Sequence, residues 1–266
     1  MSELVTDFRG GFGPGYTPVT RADDDPTGIS FGVLRLAPVA AHRIEAQGET
    51  ALLLMSGAVR ISADGRTERF RRASLFDEGP SCLHAPAGTR IEVTAEEESE
   101  LTLYGTRNRG AFAPRFYRPE EVPNEHRGKG QVGDACYRFV RTIFDRRNAD
   151  PNAELVLGEV ITMPGRWSSY PPHHHAQPEI YHYRFTLPQG YGHAELGDRV
   201  FQVRQYDTIR IPAGLDHAQC AAPGYGMYYS WVIRHLPDKP YTVPDFTDEH
   251  RWTMESGARF WQPKDA

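Results

Sequence analysis

The stretch Pro171-Pro172-His173-His174-His175-Ala176-Gln177-Pro178-Glu179, running on into Ile180-Tyr181-His182-Tyr183-Arg184-Phe185, decides how the rest of the chain is read. In an extended strand, side chains at i and i+2 share a face, so His173 and His175 point one way and His174 the other. Glu179 follows a turn at Gln177-Pro178, from which the chain can return as the neighbouring strand. A second piece, Ile211-Pro212-Ala213-Gly214-Leu215-Asp216-His217, is a turn leading into a strand, and it delivers a further imidazole. His173, His175, Glu179 and His217 are therefore expected to hold one divalent metal ion. Three neutral nitrogens and one carboxylate suit Zn or Mn, and also Fe, Co or Ni, with coordination positions left for substrate. A lone histidine is more often structural or merely exposed, and His42, His84, His126, His235 and His250 are read that way. The joint spacing sets the four ligands apart.

The 266 residues are enough for one large domain or two small ones with a sizeable core. A net charge of -5 and a pI near 6.1 describe an ordinary soluble surface and argue against nucleic acid or an anionic membrane as partner. No run approaches the roughly 20 apolar residues of a membrane span, and the first residues lack the basic start and apolar stretch of a secretory signal. A cytoplasmic location is the expectation. Cys82, Cys136 and Cys220 are odd in number and far apart, with no Cys-x-x-Cys, which reads as free thiols.

Glycine and proline are plentiful, and short apolar-aromatic runs alternate with turn signals, as in an all-β sandwich or barrel. The residues up to Pro26 read as an arm. Strands are expected at Ile29–Leu36, Thr50–Met55, Ala58–Ser62, Ser74–Phe76, Arg90–Ala95 and Leu101–Tyr104. The pattern lapses from Thr106 to Gly133, where arginines are scattered among Pro and Gly, and restarts at Tyr137. The reading is a domain at 1–110, a junction at 111–135 and a second domain at 136–266. The halves echo each other: Ala85-Pro86-Ala87-Gly88 and Ile211-Pro212-Ala213-Gly214 each precede a strand, and Glu49 and Glu179 each open one. Where the second half has His217 the first has Ile91, and no His-x-His precedes Glu49. The first copy is expected to keep the fold without the metal ligands.

His173-x-His175-x-x-x-Glu179 and Pro212-x-Gly214-x-x-His217 resemble the two motifs of the cupin superfamily. The turn glycines that usually open both motifs are displaced or absent here. The segments Val140-Arg141-Thr142-Ile143, Gly158-Glu159, Pro164-Gly165-x-Trp167-Ser168-Ser169-Tyr170-Pro171-Pro172-His173, Glu179-Ile180-Tyr181-x-Tyr183-Arg184-Phe185 and Tyr228-Tyr229-x-Trp231-Val232 are similar to the 5-deoxy-glucuronate isomerase family. Arg72-Ala73-Ser74-Leu75-Phe76 and the Arg127-Gly128-Lys129-Gly130 element add to that similarity. Related ketol-isomerases acting on 4-deoxy-5-keto-uronates share the metal pattern. The resemblance implies a bicupin, two jelly-roll barrels in one chain. It also implies a small sugar acid as substrate and a metal-dependent aldose–ketose isomerisation, 5-deoxy-glucuronate to 5-dehydro-2-deoxy-gluconate, in myo-inositol breakdown.

Such a reaction moves a hydrogen between C2 and C1 and needs a polarised carbonyl and a proton carrier. Alternation places Tyr181 and Tyr183 on the face of Glu179, as candidate relays or as aromatic lining, with His182 and Arg184 facing out. A metal-bound hydroxide could be the base instead. Arg141, Arg166 and Arg184 are candidates to clamp the substrate carboxylate, and Trp167 and Tyr170 to wall the pocket. Two other readings compete: an Fe(II) cupin dioxygenase and a non-catalytic sugar-binding cupin. An oligomer is compatible with all three.

Overall fold

A computed structural model describes residues 3–264. Among them the regular secondary structure is nearly all antiparallel strand, as expected, and no helix is long and apolar enough to cross a membrane. A nine-stranded sheet system is built on the long strand Thr50–Ala63, which bends to pair with Cys82–Ala85 and Ser99–Gly105 at one end and Arg66–Arg72 and Arg90–Ala95 at the other. Its interior is packed with Leu34, Leu52, Leu54, Val59, Ile61 and Val93. The C-terminal half is a sandwich of two sheets. Seven strands run in the order Leu4–Val5, Thr208–Ile211, Glu179–Phe185, Met227–Arg234, Leu155–Thr162, Arg138–Phe144, Glu125–Arg127. Five run in the order Arg199–Arg204, Tyr191–Leu196, His217–Ala221, Trp167–His174, Asp245–Phe246.

The seven-stranded sheet is buried on both faces. One face, carrying Tyr181, Tyr183, Phe185 and Tyr229, meets the five-stranded sheet. The other, carrying Ile180, Leu155, Leu157, Tyr228 and Val232, packs with Phe31, Val33, Leu53 and Met55 of the N-terminal half. This explains why Leu155–Thr162 and Glu179–Phe185 are buried at every position rather than at alternate ones. It also corrects one expectation. His182 and Arg184 do face away from Glu179, but toward the other half and not toward solvent. His182 packs beside Phe31 and accepts from Arg184, whose guanidinium also donates to Glu100 at 2.6 Å. Burial and the adjacent Arg184 push the His182 pKa well down, so the ring is a neutral acceptor.

Segments without periodicity are placed by pairing. The N-terminal arm contributes Leu4–Val5 to the edge of the seven-stranded sheet and Gly15–Thr20 to the first half. Arg115–Tyr117 pairs with Cys82–Ala85, and Glu125–Arg127 with Arg138–Phe144. Ser74–Phe76, expected as a strand, is a turn whose carbonyls are held by arginines of both halves.

Register makes the internal echo concrete. His173 lies opposite His217 as Ile44 lies opposite Ile91, and Glu179 opposite Ile211 as Thr50 opposite Ala85. The first copy thus carries Ile44, Ala46, Thr50 and Ile91 where the second carries His173, His175, Glu179 and His217. Glu49 is one residue out of register with Glu179, and a one-residue step flips the face. It points to the other half, where its carboxylate accepts from the backbone amides of Glu154 at 2.7 Å and Leu155 at 2.9 Å, from Asn108 at 2.7 Å, and faces the His84 imidazole at 2.7 Å.

Glu49→Gln is therefore expected to destabilise the fold by about 1–3 kcal/mol at neutral pH. Burial alone would raise the Glu49 pKa, but the facing His84, then Asn108 and the Glu154 amide, hold it below the ordinary carboxylate range. A depressed carboxylate stabilises the fold above its unfolded pKa, and that contribution is lost as pH falls through the folded pKa. The gap between wild type and variant should shrink below about pH 4. Urea titrations at pH 7 and pH 3.5 read it, and an unchanged gap would count against the assignment.

Candidate metal centre

The strand Trp167–His174 delivers the first histidines, and its register against His217–Ala221 shifts between Ser168 and His173. Beyond it the chain turns, and the Gly214 amide donates to the His175 carbonyl at 2.8 Å, tying the two motifs together. Gly214 sits at φ +72, a conformation that favours glycine in the Pro-x-Gly turn. Ligand atoms of His175, Glu179 and His217 all lie within 4.8 Å of one another and are buried. The His173 ring joins them, 4.4 Å from that of His217 between centroids. His174 points away, half exposed, with Nδ1 2.7 Å from an Asp216 carboxylate oxygen.

Each of the three inward rings is oriented by the backbone. Nδ1 of His173 donates to the Pro171 carbonyl at 3.3 Å, that of His175 to Gln177 at 2.7 Å, and that of His217 to Leu215 at 3.1 Å. This commits every Nδ1 to the backbone and turns every Nε2 toward the common centre, the arrangement of metal-bound imidazoles. His217 Nε2 and Glu179 Oε2 are buried without any protein partner. Burying such atoms unpaired costs about 1–3 kcal/mol each, so the donor set fits a divalent cation.

The electrostatics agree. Burial, with His217 second, pushes the His173 pKa down to about 3, and burial lowers His217 as well. Burial works against a charged His175 too, but the Glu179 carboxylate in close contact outweighs it and raises the pKa. Glu179 is correspondingly lowered: burial opposes this, and His175 dominates among the groups that favour the anion. The proton held between His175 and Glu179 is the one a bound cation would release.

A small cavity of about 100 Å³ opens over this cluster, bounded by His173, Glu179, Ser169, Tyr181, Arg138 and Tyr241 among others. It shares Arg127, Val140, Trp231, Tyr241 and Pro244 with an outer cleft of about 400 Å³. Ser169, at φ +50, offers its hydroxyl to Tyr229 at 3.0 Å and Tyr181 at 3.4 Å.

The two expected tyrosines divide. Tyr181 lines the cavity, whereas Tyr183 lies deeper and donates to Gln219 at 2.6 Å. Burial, then the Glu179 charge, keeps the Tyr181 hydroxyl protonated, well above the ordinary tyrosine range. None of the three arginines expected to clamp a carboxylate lines this cavity. Arg184 is held by Glu100, Arg141 donates to the Leu75 and Glu78 carbonyls at 3.0 and 2.8 Å, and Arg166 reaches the Gly133 carbonyl at 3.3 Å. Trp167 and Tyr170 also lie outside the lining, with ring centroids 5.6 Å apart. The residues missed are Arg138 and the tail residues Tyr241 and Phe246. The tail carries no periodic signal, and Asp245–Phe246 is brought in by pairing with His173 and His174.

A profile of the KduI/IolB family matches residues 9–253. The chain belongs to the KduI/IolB family. Its curated relatives include 5-deoxy-glucuronate isomerase of Geobacillus kaustophilus, 29% identical over 258 residues and covering 86% of each chain. That of Bacillus subtilis strain 168 is 26% identical over 257 residues, covering 89% of this chain and 92% of the relative. Among solved structures, an IolB-like protein from Salmonella typhimurium LT2 superposes with a TM-score of 0.85 at 24% identity, over 96% of this chain and all of that one. A cupin 2 conserved barrel domain protein from Leptotrichia buccalis gives 0.52 at 14% identity, covering 88% of this chain and 89% of that one. The fold and the family both match the resemblance read from the motifs.

Within this KduI/IolB chain the Gly158-Glu159 pair gains a physical reason. Gly158 lies opposite Trp231, and a Cβ there would run into the Trp231 ring and, at 2.8 Å, the Arg141 carbonyl. The glycine lets the tryptophan lie flat as a wall of the cavity.

Proposed function

We propose that this chain is a sugar-acid isomerase acting on 5-deoxy-glucuronate, the sugar acid in its curated relatives' name, and that it forms 5-dehydro-2-deoxy-gluconate in myo-inositol breakdown. His173, His175, Glu179 and His217 hold one divalent ion, Zn or Mn. The carrying observation is that His217 Nε2 and Glu179 Oε2 are buried and unpaired at the centre of three imidazoles whose Nδ1 atoms are all taken by backbone carbonyls. Such an ion supplies Lewis acidity toward the substrate carbonyl. Residues 136–266 carry the chemistry, and residues 1–110, joined through 111–135, back the sheet that presents it. Three free thiols suit a reducing compartment such as the cytoplasm.

The chain's own groups do the rest. Glu179, His173 and His175 fix the charge at the cavity floor, and Trp231, Tyr241 and Phe246 exclude water. Tyr181, protonated at neutral pH and facing the cavity, donates its proton to the C1 carbonyl oxygen as the hydrogen on C2 passes to C1, and recovers a proton from the C2 hydroxyl, which becomes the ketone. Tyr183 holds Gln219 behind that wall and touches no substrate. Tyr181→Phe should lower kcat about a hundredfold with KM little changed; an unchanged kcat would remove the tyrosine from the mechanism.

The decisive assay adds 5-deoxy-glucuronate to chain with verified Zn or Mn content and follows ketose formation. Absence of turnover overturns the isomerase reading. Oxygen uptake with a catechol or thiol would replace it with the dioxygenase reading.

A further inference from the structure

Arg127 and Arg138 occupy directly opposed positions on the paired strands Glu125–Arg127 and Arg138–Phe144. Opposed residues of an antiparallel pair share a face, and like charges there repel. Both side chains nevertheless turn to the cavity above His173 and Glu179. Arg127 has Glu125 beside it at 2.7 Å on the exposed side. Arg138 has no carboxylate partner among the described residues: its guanidinium donates only to the Cys136 and Tyr170 carbonyls, at 2.9 and 3.4 Å. Those carbonyls hold the fork in place without neutralising it. The one acid lining the cavity is Glu179, which the metal reading already employs. Two cations brought together at the mouth of a partly enclosed, metal-competent cavity, one without a counter-ion, make an anion site.

We infer that Arg138, seconded by Arg127, binds the carboxylate of the substrate, opposite the metal end of the cavity. This rests on the sugar-acid reading and gives it a selectivity device. The planar guanidinium can meet a carboxylate with two parallel bonds, which a lysine cannot reproduce. A uronate is held at both ends, and the neutral hexose of the same length only at one.

Calorimetric binding to the Zn-loaded chain tests it, with D-glucuronate and its neutral counterpart D-glucose as probes. Wild type should bind glucuronate at least tenfold more tightly than glucose. Arg138→Gln and Arg138→Lys should weaken glucuronate 10- to 100-fold, about 1.4 to 2.8 kcal/mol, and leave glucose unchanged. Arg127→Gln, at a half-exposed position where folding is not at stake, should weaken glucuronate by a smaller factor and flatten its loss with added salt. Zn content and thermal midpoint are checked for each variant. If wild type shows no preference for the uronate, or if the preference survives in folded Arg138→Gln and Arg127→Gln, the site is refuted. A preference that depends on Arg138 in a chain that does not isomerise 5-deoxy-glucuronate would uphold the carboxylate site and sink the isomerase reading alone.

Discussion

His217→Ala is expected to bind no stoichiometric Zn or Mn and to show no turnover, while His174→Ala retains both. The two residues lie next to paired motifs in one sequence, yet their environments are opposite. His217 is fully buried, with Nδ1 committed to the Leu215 carbonyl and Nε2 facing nothing but the other ligands. His174 is half exposed and pairs with Asp216 at 2.7 Å. His175→Ala should behave as His217→Ala does, since its Nε2 contacts Glu179 at the centre. The effect is legible without any substrate. An ion that binds only the folded chain stabilises it by about 2.7 kcal/mol at a hundred times its Kd. Adding metal should therefore raise the melting temperature of wild type and His174→Ala by several degrees and leave His175→Ala and His217→Ala where they were. Metal analysis by mass spectrometry gives the stoichiometry. If His174→Ala loses the ion as fully as His217→Ala, the alternation on which the ligand set rests is refuted.

Much of this centre could be read from spacing because His173, Glu179 and His217 lie on strands and His175 directly follows one, so that period two and a Pro-x-Gly turn fix direction. The same rule separated His174 from its neighbours and Tyr181 from His182. It failed where tertiary pairing overrides local pattern. His182 and Arg184 alternate like solvent-facing residues, but the sheet that carries them is covered on both faces. Glu49 looked like the counterpart of Glu179, and only the opposition of Thr50 to Ala85 shows the one-residue offset. The expected clamp arginines, Arg141, Arg166 and Arg184, lie within the strongest motif segments, whereas Arg138 becomes conspicuous only beside Arg127, its neighbour across a strand pair eleven residues apart in sequence. Phe246 and Tyr241 carry no pattern at all; a two-residue strand places one, and burial the other. Contacts formed by distant segments leave no periodic trace in either segment.

Breaking the ion pair at the join of the two halves should unsettle the whole molecule. Arg72 of the first half is fully buried and forks onto Glu159 of the second, Nη1 to Oε1 at 2.6 Å and Nη2 to Oε2 at 2.8 Å. Tyr228 donates to Glu159 Oε1 at 2.7 Å, and Arg141 lies 3.6 Å from Oε2. Both arginines also hold the Glu78 carbonyl, at 2.9 and 2.8 Å, so the turn that follows Arg72 is pinned by the same charges. Glu159→Gln leaves two buried guanidinium groups facing a neutral amide and is expected to cost about 3–5 kcal/mol of stability. Arg72→Met should cost as much, because Glu159 would keep only the Tyr228 hydroxyl and the longer contact to Arg141. The double variant Arg72→Met with Glu159→Gln should be no worse than either single variant, since the two lesions are one broken pair. Urea unfolding of wild type and the three variants forms the cycle, and additive losses would show that the pair is not coupled. The consequence reaches the site because Glu159 and Tyr228 stand on the reverse face of the sheet whose front carries Val160, Tyr229 and Tyr181. A sheet released from its backing shifts the wall against which Tyr181 is held, so metal affinity and kcat should fall together in Glu159→Gln even below its melting temperature. In this reading the half without metal ligands acts by holding that sheet in place.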